Sequence, residues 1–269
     1  MTAVITLCSA ARLEHVRRQQ RLLAGQPVRR VLVWLDADPP PPVAEFADAE
    51  VLHVPPGPAG LRLAAGRNRG AAAAGADLLV FLDADCLPGP DLLTRYRDAA
   101  QAYPGGVLCG PVTYLPAGVL PEHPAELSAL TSPHAARPAP PDGENVVAGP
   151  DDYRLFWSLS FAVTAATWAA LGGFHPGYEG YGGEDTDLAY TARAAGVPLV
   201  WVGGAHAYHQ HHPTSSPPWQ HLDDILRNGR LFAGRWGFWP MQGWLDAFAA
   251  AGAIELTPSG WQRRSTAGG

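Results

Sequence analysis

Leu78-Leu-Val-Phe-Leu-Asp83-Ala-Asp85 is the stretch of sequence that decides the fold. Its first five residues are all apolar, a pattern typical of a strand that is buried on both faces of a parallel sheet. Two aspartates follow at once, and open α/β sheets bind their ligands beyond the carboxyl ends of the strands. We therefore expect Asp83 and Asp85 to lie at a sheet edge that a ligand can reach.

The spacing of Asp83 and Asp85 favours a metal site. Carboxylates at positions i and i+2 can both turn toward one hard cation, Mn²⁺ or Mg²⁺, and a diphosphate can bind the same cation. Solvated turn residues and a helix N-cap are the alternatives for so short a motif. Asp36-Ala-Asp38 repeats the pattern after another predicted strand. We interpret Asp36 as a contact for the imide N–H of uracil.

Short apolar runs alternate with helical patterns around this strand, which predicts βαβ units. The predicted strands cover residues 4–8, 31–35, 51–54, 78–82, 107–114, 156–163 and 199–202. Helices are predicted over residues 11–24, 61–76, 165–171 and 188–195, with a partly helical, aromatic tail over residues 219–250. The sequence therefore predicts an α/β fold with a Rossmann-like, mostly parallel central sheet flanked by helices.

The composition argues against several classes of protein. The chain has 269 residues and a net charge of −6, without the basic stripe that nucleic-acid binding requires. No apolar run reaches about 18 residues, so we expect no membrane span, and the first residues resemble a strand rather than a signal peptide. Cys8, Cys86 and Cys109 form neither a zinc pattern nor a disulfide framework. We expect free thiols in a reducing compartment, and hence a soluble, cytoplasmic protein.

An arginine precedes the central strand, in the segment Gly66-Arg67-Asn-Arg-Gly70. A guanidinium can bind two phosphate oxygens at once, so we expect Arg67 to contact a diphosphate. A solvent-exposed charged turn is the alternative.

A second acidic motif, Gly180-Tyr-Gly-Gly-Glu184-Asp185-Thr-Asp187, stands at a predicted helix start. Helix N-termini attract carboxylates, so capping alone could explain these residues. However, the glycines let the backbone approach a ligand closely, and Tyr181 offers a ring on which a sugar can stack. We expect Asp185 to deprotonate an acceptor hydroxyl and Glu184 to orient the acceptor.

Four histidines, at positions 206, 209, 211 and 212, crowd one short segment. Imidazole is an acceptable ligand for manganese beside carboxylate and phosphate oxygens. If the segment is extended, His209 and His211 share a face and His212 points away. A polar loop that packs on aromatic residues is the alternative.

Together these motifs resemble the inverting glycosyltransferases of family 2, which have the nucleotide-diphosphosugar (GT-A) fold. The matching segments are Ala65-Gly-Arg-Asn-Arg-Gly70, Phe81-Leu-Asp-Ala-Asp-Cys86, residues 171–188 and Tyr208-His-Gln-His-His212. Residues 171–212 are most similar to the galactosyltransferase and N-acetylgalactosaminyltransferase branch. The likeness covers residues 2–215.

The resemblance implies a role for each matching residue at the donor. Asp85 would bind the metal directly, and Asp83 would contact the donor ribose or a metal-bound water. A downstream histidine would complete the metal site. His209 is the best match for this ligand, and His211 or His212 could take its place. On the acceptor side, the resemblance implies that Asp185 is the base and that Glu184 contacts the acceptor.

The chain departs from the family pattern in three places, one of which is Leu35-Asp-Ala-Asp38 after the second strand, where the family has adjacent aspartates. Its first strand contains Thr6-Leu-Cys-Ser9 where the family has a Pro-Thr-aromatic sequence, and we assign Thr6 and Ser9 to donor binding. Tyr181 stands where the galactosyltransferase branch often has a tryptophan. We assign Tyr181 and Trp157 to acceptor binding.

We divide the chain into a GT-A domain over residues 1–215 and a C-terminal aromatic, helical extension over residues 216–269. Residues 1–114 form the nucleotide-sugar half of the domain and residues 115–215 the acceptor half. Residues 115–151 lack periodicity and are the candidate acceptor lid. The aromatic residues 236–244 either pack on the domain, which we favour, or line an acceptor groove or dimer contact.

The predicted function is metal-dependent, inverting transfer of a hexose from a UDP-sugar to an acceptor hydroxyl. The hexose is galactose, glucose or an N-acetylhexosamine, and the acceptor is a glycan, lipid or small molecule. A homodimer is left open. The alternatives are a non-catalytic nucleotide-sugar or carbohydrate-binding relative and a retaining transferase. A sugar nucleotidyltransferase is disfavoured because the first strand–helix turn supplies only Arg12 rather than a glycine-rich basic loop.

Overall fold

The computed structural model describes residues 1–264. Its strands are β1 (Thr2–Cys8), β2 (Arg29–Trp34), β3 (Glu50–His53), β4 (Leu78–Leu82), β5 (Cys86–Pro88), β6 (Val107–Cys109), β7 (Val112–Tyr114), β8 (Asn145–Val147), β9 (Ser160–Thr164), β10 (Leu199–Val202), β11 (Ala207–His209), β12 (Ile254–Thr257) and β13 (Gly260–Arg263). Its α-helices are α1 (Leu13–Leu23), α2 (Leu63–Ala73), α3 (Leu92–Ala102), α4 (Pro124–Ser128), α5 (Ala165–Leu171), α6 (Glu184–Ala194), α7 (Leu222–Trp236) and α8 (Gln242–Ala250).

Eight strands form the central sheet, in the order β3-β2-β1-β4-β9-β6-β10-β8. The pairs β1–β2, β1–β4, β2–β3 and β6–β10 are parallel. β9 runs antiparallel between β4 and β6, and β8 is an antiparallel edge strand beside β10. The predicted α/β fold with a mostly parallel central sheet is therefore confirmed.

Helices cover both faces of this sheet, as the buried strands require. α2 packs closely on β1, because a Cβ atom on Gly70 would lie only 2.5 Å from Cγ2 of Ile5. On the opposite face, α3 contributes the buried side chains of Leu92 and Tyr96 to the core. The glycines around Arg67 are thus packing residues in the middle of a helix.

A second, three-stranded sheet, β5-β11-β7, lies beyond the carboxyl end of β4. The run predicted as one strand over residues 107–114 divides at Gly110, where a Cβ atom would lie 1.8 Å from the carbonyl oxygen of Ala205. Its second part, β7, joins this small sheet, in which His209 is in register with Cys86 and Tyr114. The small sheet therefore brings the histidine segment to the residues that follow Asp85.

Two further predicted elements differ from the structure. The strand predicted over residues 156–163 begins only at Ser160. A 3-10 helix over Asp152–Leu155 and a turn at residues 158–159 precede it. The segment 115–151 is not a structureless loop, because it contains α4 and the edge strand β8. An edge strand of three residues is too short to show a period of two in the sequence.

The residues after position 215 form α7, α8 and the hairpin β12–β13. They share a small apolar cluster of their own, built from Leu222, Ile225, Leu226, Leu245, Phe248, Ile254 and Trp261. The division of the chain at residue 215 stays a prediction. Within residues 1–264, no helix combines the length and the apolar character that a membrane crossing requires.

Candidate active site

Asp83 and Asp85 lie beyond the carboxyl end of β4, between the two sheets. The backbone N–H of Asp83 donates to the carbonyl oxygen of Leu159 at 2.9 Å, which ties this turn to the segment before β9. β5 begins directly after Asp85. The Asp83 side chain is 32% exposed and that of Asp85 15% exposed, so both carboxylates can be reached from solvent while their backbone is fixed.

Asp85 lies at the centre of a cluster with two histidines. Nε2 of His209 is 3.6 Å from one carboxylate oxygen, and Nε2 of His212 is 3.3 Å from the other. One ligand atom from each of the three residues lies within 4.8 Å of the other two, which is a spacing that a single metal ion can bridge. Nε of Arg12 also contacts Asp85, at 3.2 Å.

The electrostatics of this cluster favour an ionised Asp85 and a neutral His209. Burial acts to raise the pKa of Asp85, but the hydrogen bond from His212 and the charges of His209 and Arg12 outweigh it and lower the pKa to about 2. Burial lowers the pKa of His209. A carboxylate and uncharged imidazole nitrogens are the forms that bind a cation.

The prediction that His209 shares a face with His211 rather than His212 is wrong. β11 ends at His209, and the N–H of Gln210 donates to the carbonyl oxygen of Asp85 at 2.7 Å. Beyond this point the chain is no longer paired as a strand, so the alternation of side chains between two faces is no longer imposed. His211 is exposed and only its carbonyl oxygen is engaged, 3.3 Å from Nε2 of His15.

Arg67 links the two acidic motifs through an ion pair with each of them. Its side chain is 5% exposed, with Nη2 3.0 Å from Oδ1 of Asp83 and Nη1 3.4 Å from Oε1 of Glu184. The guanidinium also lies over the ring of Phe174, 5.1 Å from its centroid. Its position on the packed face of α2 directs the guanidinium to these carboxylates, and the assignment of Arg67 to the donor stays a prediction.

Glu184 and Asp185 begin α6, after Gly183 in a left-handed conformation (φ 91°). Glu184 is buried against Arg67, whereas Asp185 is half-buried and its Oδ1 accepts from the backbone N–H of Thr186 at 2.6 Å. Burial raises the pKa of both carboxyls. A base whose pKa is raised toward neutrality suits proton transfer from a hydroxyl. The roles of base and acceptor contact stay predictions.

The third acid of the motif, Asp187, has a structural role that the sequence did not indicate. It is 1% exposed, and its Oδ1 accepts hydrogen bonds from Nε of Arg235 and Nε1 of Trp236, each at 2.7 Å, and from the hydroxyl of Tyr178 at 3.2 Å. These contacts fasten α7 to the start of α6. Part of the aromatic tail therefore packs on the domain, as the sequence analysis favours.

The residues assigned to the nucleotide differ in their surroundings. Thr6 is completely buried, and its hydroxyl donates to Oε1 of Gln19 at 2.9 Å. The hydroxyl thus lies in the core of β1, and the assignment of Thr6 to donor binding stays a prediction. Ser9 and Asp36 are half-buried at the strand ends, and Asp36 accepts a hydrogen bond from the N–H of Ala10. Their contacts with a nucleotide stay predictions.

The two aromatic residues assigned to the acceptor stand in different groups. Tyr181 is 36% exposed and stacks on His221 with 4.4 Å between ring centroids, near Trp244. Trp157 contacts His134 edge to face, with 5.2 Å between centroids. His221 and Trp244 belong to the C-terminal part, so that part contributes to the surroundings of Tyr181.

A row of rings leads from His209 to Trp157. Tyr114 stacks on His209 with 4.5 Å between centroids, and His134 lies 5.4 Å from Tyr114 and contacts Trp157. Arg137 lies under Trp157, and its guanidinium also faces Trp201. Tyr114 is 48% exposed, so the row has an open side. No periodicity of the segment 115–151 indicated that it supplies His134 and Arg137.

Comparison with known proteins gives two family matches. The profile of glycosyl transferase family 2 matches residues 11–156, which is more than half of the chain. The profile described as the N-terminal domain of galactosyltransferase matches residues 145–213. Together the two matches include both acidic motifs and the histidine segment.

Two curated relatives are validoxylamine A glucosyltransferases of Streptomyces hygroscopicus, from the subspecies jinggangensis and limoneus. Each is 32% identical over 157 residues, which cover 52% of this chain. The alignments span 37% and 35% of the relatives, so the chain corresponds to little more than a third of their length.

Solved structures show the same fold at low sequence identity. TarS of S. aureus superposes with a TM-score of 0.60 and 13% identity, covering 87% of this chain and 39% of TarS. GalNAc-T7, solved with UDP, GalNAc and Mn²⁺, superposes with a TM-score of 0.54 and 15% identity, covering 87% of this chain and 51% of that protein.

Proposed function

Because the chain belongs to glycosyl transferase family 2, we propose that it is a metal-dependent, inverting enzyme that moves a hexosyl group from a UDP-sugar to an acceptor hydroxyl. The observation that carries this proposal is the cluster of Asp85, His209 and His212, whose ligand atoms lie within 4.8 Å of one another. The cluster stands beyond the end of β4, where a ligand of an open α/β sheet binds.

The donor set fits a particular class of cation. One carboxylate oxygen and two imidazole nitrogens suit Mn²⁺ better than Mg²⁺, which prefers oxygen ligands. When bound, such a cation would neutralise the charge that develops on the leaving UDP. Asp83, held by Arg67, is the neighbouring carboxylate for the ribose or for a water on the cation.

Asp185 is the proposed general base. Its oxygen atoms are half-buried at the N-terminus of α6, next to the Arg67 ion pairs. In the reaction, the acceptor oxygen would attack the anomeric carbon and the bond from that carbon to the UDP oxygen would break. UDP would leave with the electron pair, and the acceptor proton would pass to Asp185. One such displacement inverts the anomeric configuration.

The donor class is proposed from the related proteins. The curated relatives are glucosyltransferases, and a further TarS structure was solved with UDP-GlcNAc. We therefore include UDP-glucose, UDP-galactose and their N-acetylated forms. The exposed ring of Tyr181 and the half-buried ring of Trp157 are the proposed acceptor contacts, since aromatic faces stack on sugar rings. Three buried, free cysteines support a reducing compartment, and fractionation of the source cells would test a cytoplasmic location.

Release of UDP from a panel of donors tests the function. We expect release from at least one UDP-hexose with Mn²⁺, loss of release with EDTA, and no release from GDP-sugars. Asp185→Asn should abolish turnover and retain Mn²⁺-dependent UDP binding. Metal-dependent UDP binding by the wild type without turnover on any donor or acceptor would instead support the non-catalytic relative, and absence of both would overturn the proposal.

The stereochemistry of the product tests the mechanism separately. Proton NMR of a freshly formed product should show the anomeric configuration opposite to that of the donor. A product with the donor's configuration would identify a retaining transferase and would remove the role proposed for Asp185.

A further inference from the structure

Arg12 occupies an unusual position at the metal cluster. It follows β1, at the end of a 3-10 turn over residues 10–12, and its side chain is 34% exposed. Its Nε lies 3.2 Å from Oδ2 of Asp85, and its Nη2 lies 3.2 Å from Nδ1 of His212. A permanent positive charge therefore contacts two of the three residues that would hold the cation.

The contacts of His212 define two exclusive arrangements. Arginine can only donate, so its contact with Nδ1 requires that this nitrogen accept and that the proton reside on Nε2, where it faces Asp85 at 3.3 Å. Nδ1 also lies 3.3 Å from the carbonyl oxygen of Pro213, a contact that requires the proton on Nδ1. Only the second arrangement leaves the Nε2 lone pair free for a cation.

A cation in the cluster would therefore displace Arg12. Bound through Nε2, it would leave His212 with an Nδ1–H that donates to Pro213, and the guanidinium would face a donor instead of an acceptor. The cation would also bind the carboxylate of Asp85 in place of Arg12, and it would repel the guanidinium at short range. Arg12 has the exposure and the flexible stem needed to move, and an anion beside the cation is the partner it would find.

Few other side chains could serve such an anion. The sequence contains no lysine, so a fixed positive charge has to come from arginine. Arg67 is buried between Asp83 and Glu184. Within residues 1–264, Arg12 is the arginine that pairs with Asp85. Arg18 on α1 donates instead to Oε1 of Gln210.

From this geometry we infer that Arg12 has two partners in turn: Asp85 and His212 without the cation, and the diphosphate of the donor once the cation is bound. A guanidinium matches two diphosphate oxygens at once. The inference rests on the proposed function, because it requires a diphosphate beside the cluster. It assigns the residue of the first strand–helix turn to donor binding.

Two binding measurements on Arg12→Ala test the inference. Without nucleotide, the variant should bind Mn²⁺ at least as tightly as the wild type, as followed by the electron paramagnetic resonance signal of free Mn²⁺. At saturating Mn²⁺, its affinity for UDP should fall about 10- to 100-fold in titration calorimetry, while its affinity for uridine stays unchanged. Arg12→Lys should recover part of the UDP affinity.

Arg17→Ala is the matched control, since Arg17 is similarly exposed and pairs with the exposed Glu14 and the half-buried Glu45, away from Asp85. It should behave as the wild type in both measurements. Weaker Mn²⁺ binding by Arg12→Ala without nucleotide, or an unchanged UDP affinity, would overturn the inference while the proposed function stands. A wild type that shows no Mn²⁺-dependent UDP binding would overturn both.

Discussion

Nε2 of His212 lies 3.3 Å from Oδ2 of Asp85, although the two residues are far apart in the sequence. The small sheet produces this contact, because β11 pairs with β5 directly after Asp85. The N–H of Gln210 then donates to the carbonyl oxygen of Asp85 and turns the following residues toward the carboxylate. The cluster of Asp85, His209 and His212 is therefore a consequence of strand pairing between two segments that each carry one part of it.

This geometry predicts a difference between two adjacent histidines. His212→Ala should weaken Mn²⁺ binding by at least about tenfold, because it removes a ligand. His211→Ala should leave Mn²⁺ affinity unchanged, because His211 is exposed and does not face Asp85. Calorimetric titration of both variants checks the prediction. Equal losses in the two variants, or none in His212→Ala, would assign the third ligand elsewhere.

The sequence sufficed for the parts of the site that local chemistry dictates. The apolar run before Asp83 predicts a buried strand, and the acidic residues from Glu184 onward are predicted at a helix start, as the structure has them. The sequence could not decide between His211 and His212 as the metal ligand. Side chains point to alternate faces only while the strand continues. Where β11 ends depends on its pairing with β5 and β7, which are distant in sequence.

Arg67 shows a second limit of the sequence. Its neighbours suggest a charged loop at a phosphate, but whether a guanidinium faces solvent or the core depends on which side of α2 packs on the sheet. Gly66 and Gly70 decide this, because they admit β1 and β2 at close range. A helix with glycines on its packed face carries little apolar periodicity, so the burial of Arg67 had no signal in the pattern.

Asp187 should be essential for stability rather than for chemistry. It is buried and accepts three hydrogen bonds, one of them from a charged guanidinium. Asp187→Ala would leave these donors without an acceptor, and we expect a loss of about 3–5 kcal/mol in the free energy of unfolding. Asp246→Ala, at an exposed pair with Gln242, should change it by less than about 0.5 kcal/mol.

Urea denaturation of the two variants measures this difference. A change in Asp187→Ala no larger than that in Asp246→Ala would show that α7 is held by its apolar contacts alone. In that case the contacts of Asp187 with Arg235 and Trp236 would be incidental.

Glu184 should make stability depend on pH. Burial raises its pKa above the usual value of 4.5, so the folded state binds a proton more tightly than the unfolded state does. The stabilisation that results is complete below the unfolded-state pKa and is lost as the pH rises through the raised folded-state pKa. Each unit of the rise corresponds to about 1.4 kcal/mol.

Glu184→Gln removes this titration. The free energy of unfolding of the wild type minus that of Glu184→Gln should therefore fall between pH 4.5 and neutrality. It should level off above the folded-state pKa of Glu184. Glu14→Gln is the control, since its side chain is 70% exposed. A difference that is constant with pH would mean that Arg67 keeps Glu184 ionised.

Arg137 provides a test of how the segment 115–151 is anchored. It is 5% exposed, its guanidinium lies 5.1 Å from the ring centroid of Trp157 and 5.5 Å from that of Trp201, and its three nitrogens have no acceptor among residues 1–264. Ring faces stabilise a cation, but its edge N–H groups remain without hydrogen bonds, which costs free energy in a buried position. The packing of the side chain should therefore matter more than its charge.

Two substitutions separate these contributions. Arg137→Met keeps a long side chain between the rings and removes the buried charge, so its free energy of unfolding should equal or exceed that of the wild type. Arg137→Ala opens a cavity between Trp157 and Trp201 and should lose about 2–3 kcal/mol. Thermal and urea unfolding of the two variants give the comparison. If Met proves as destabilising as Ala, the charge itself holds the segment, and an acceptor for the guanidinium must be bound between the two rings.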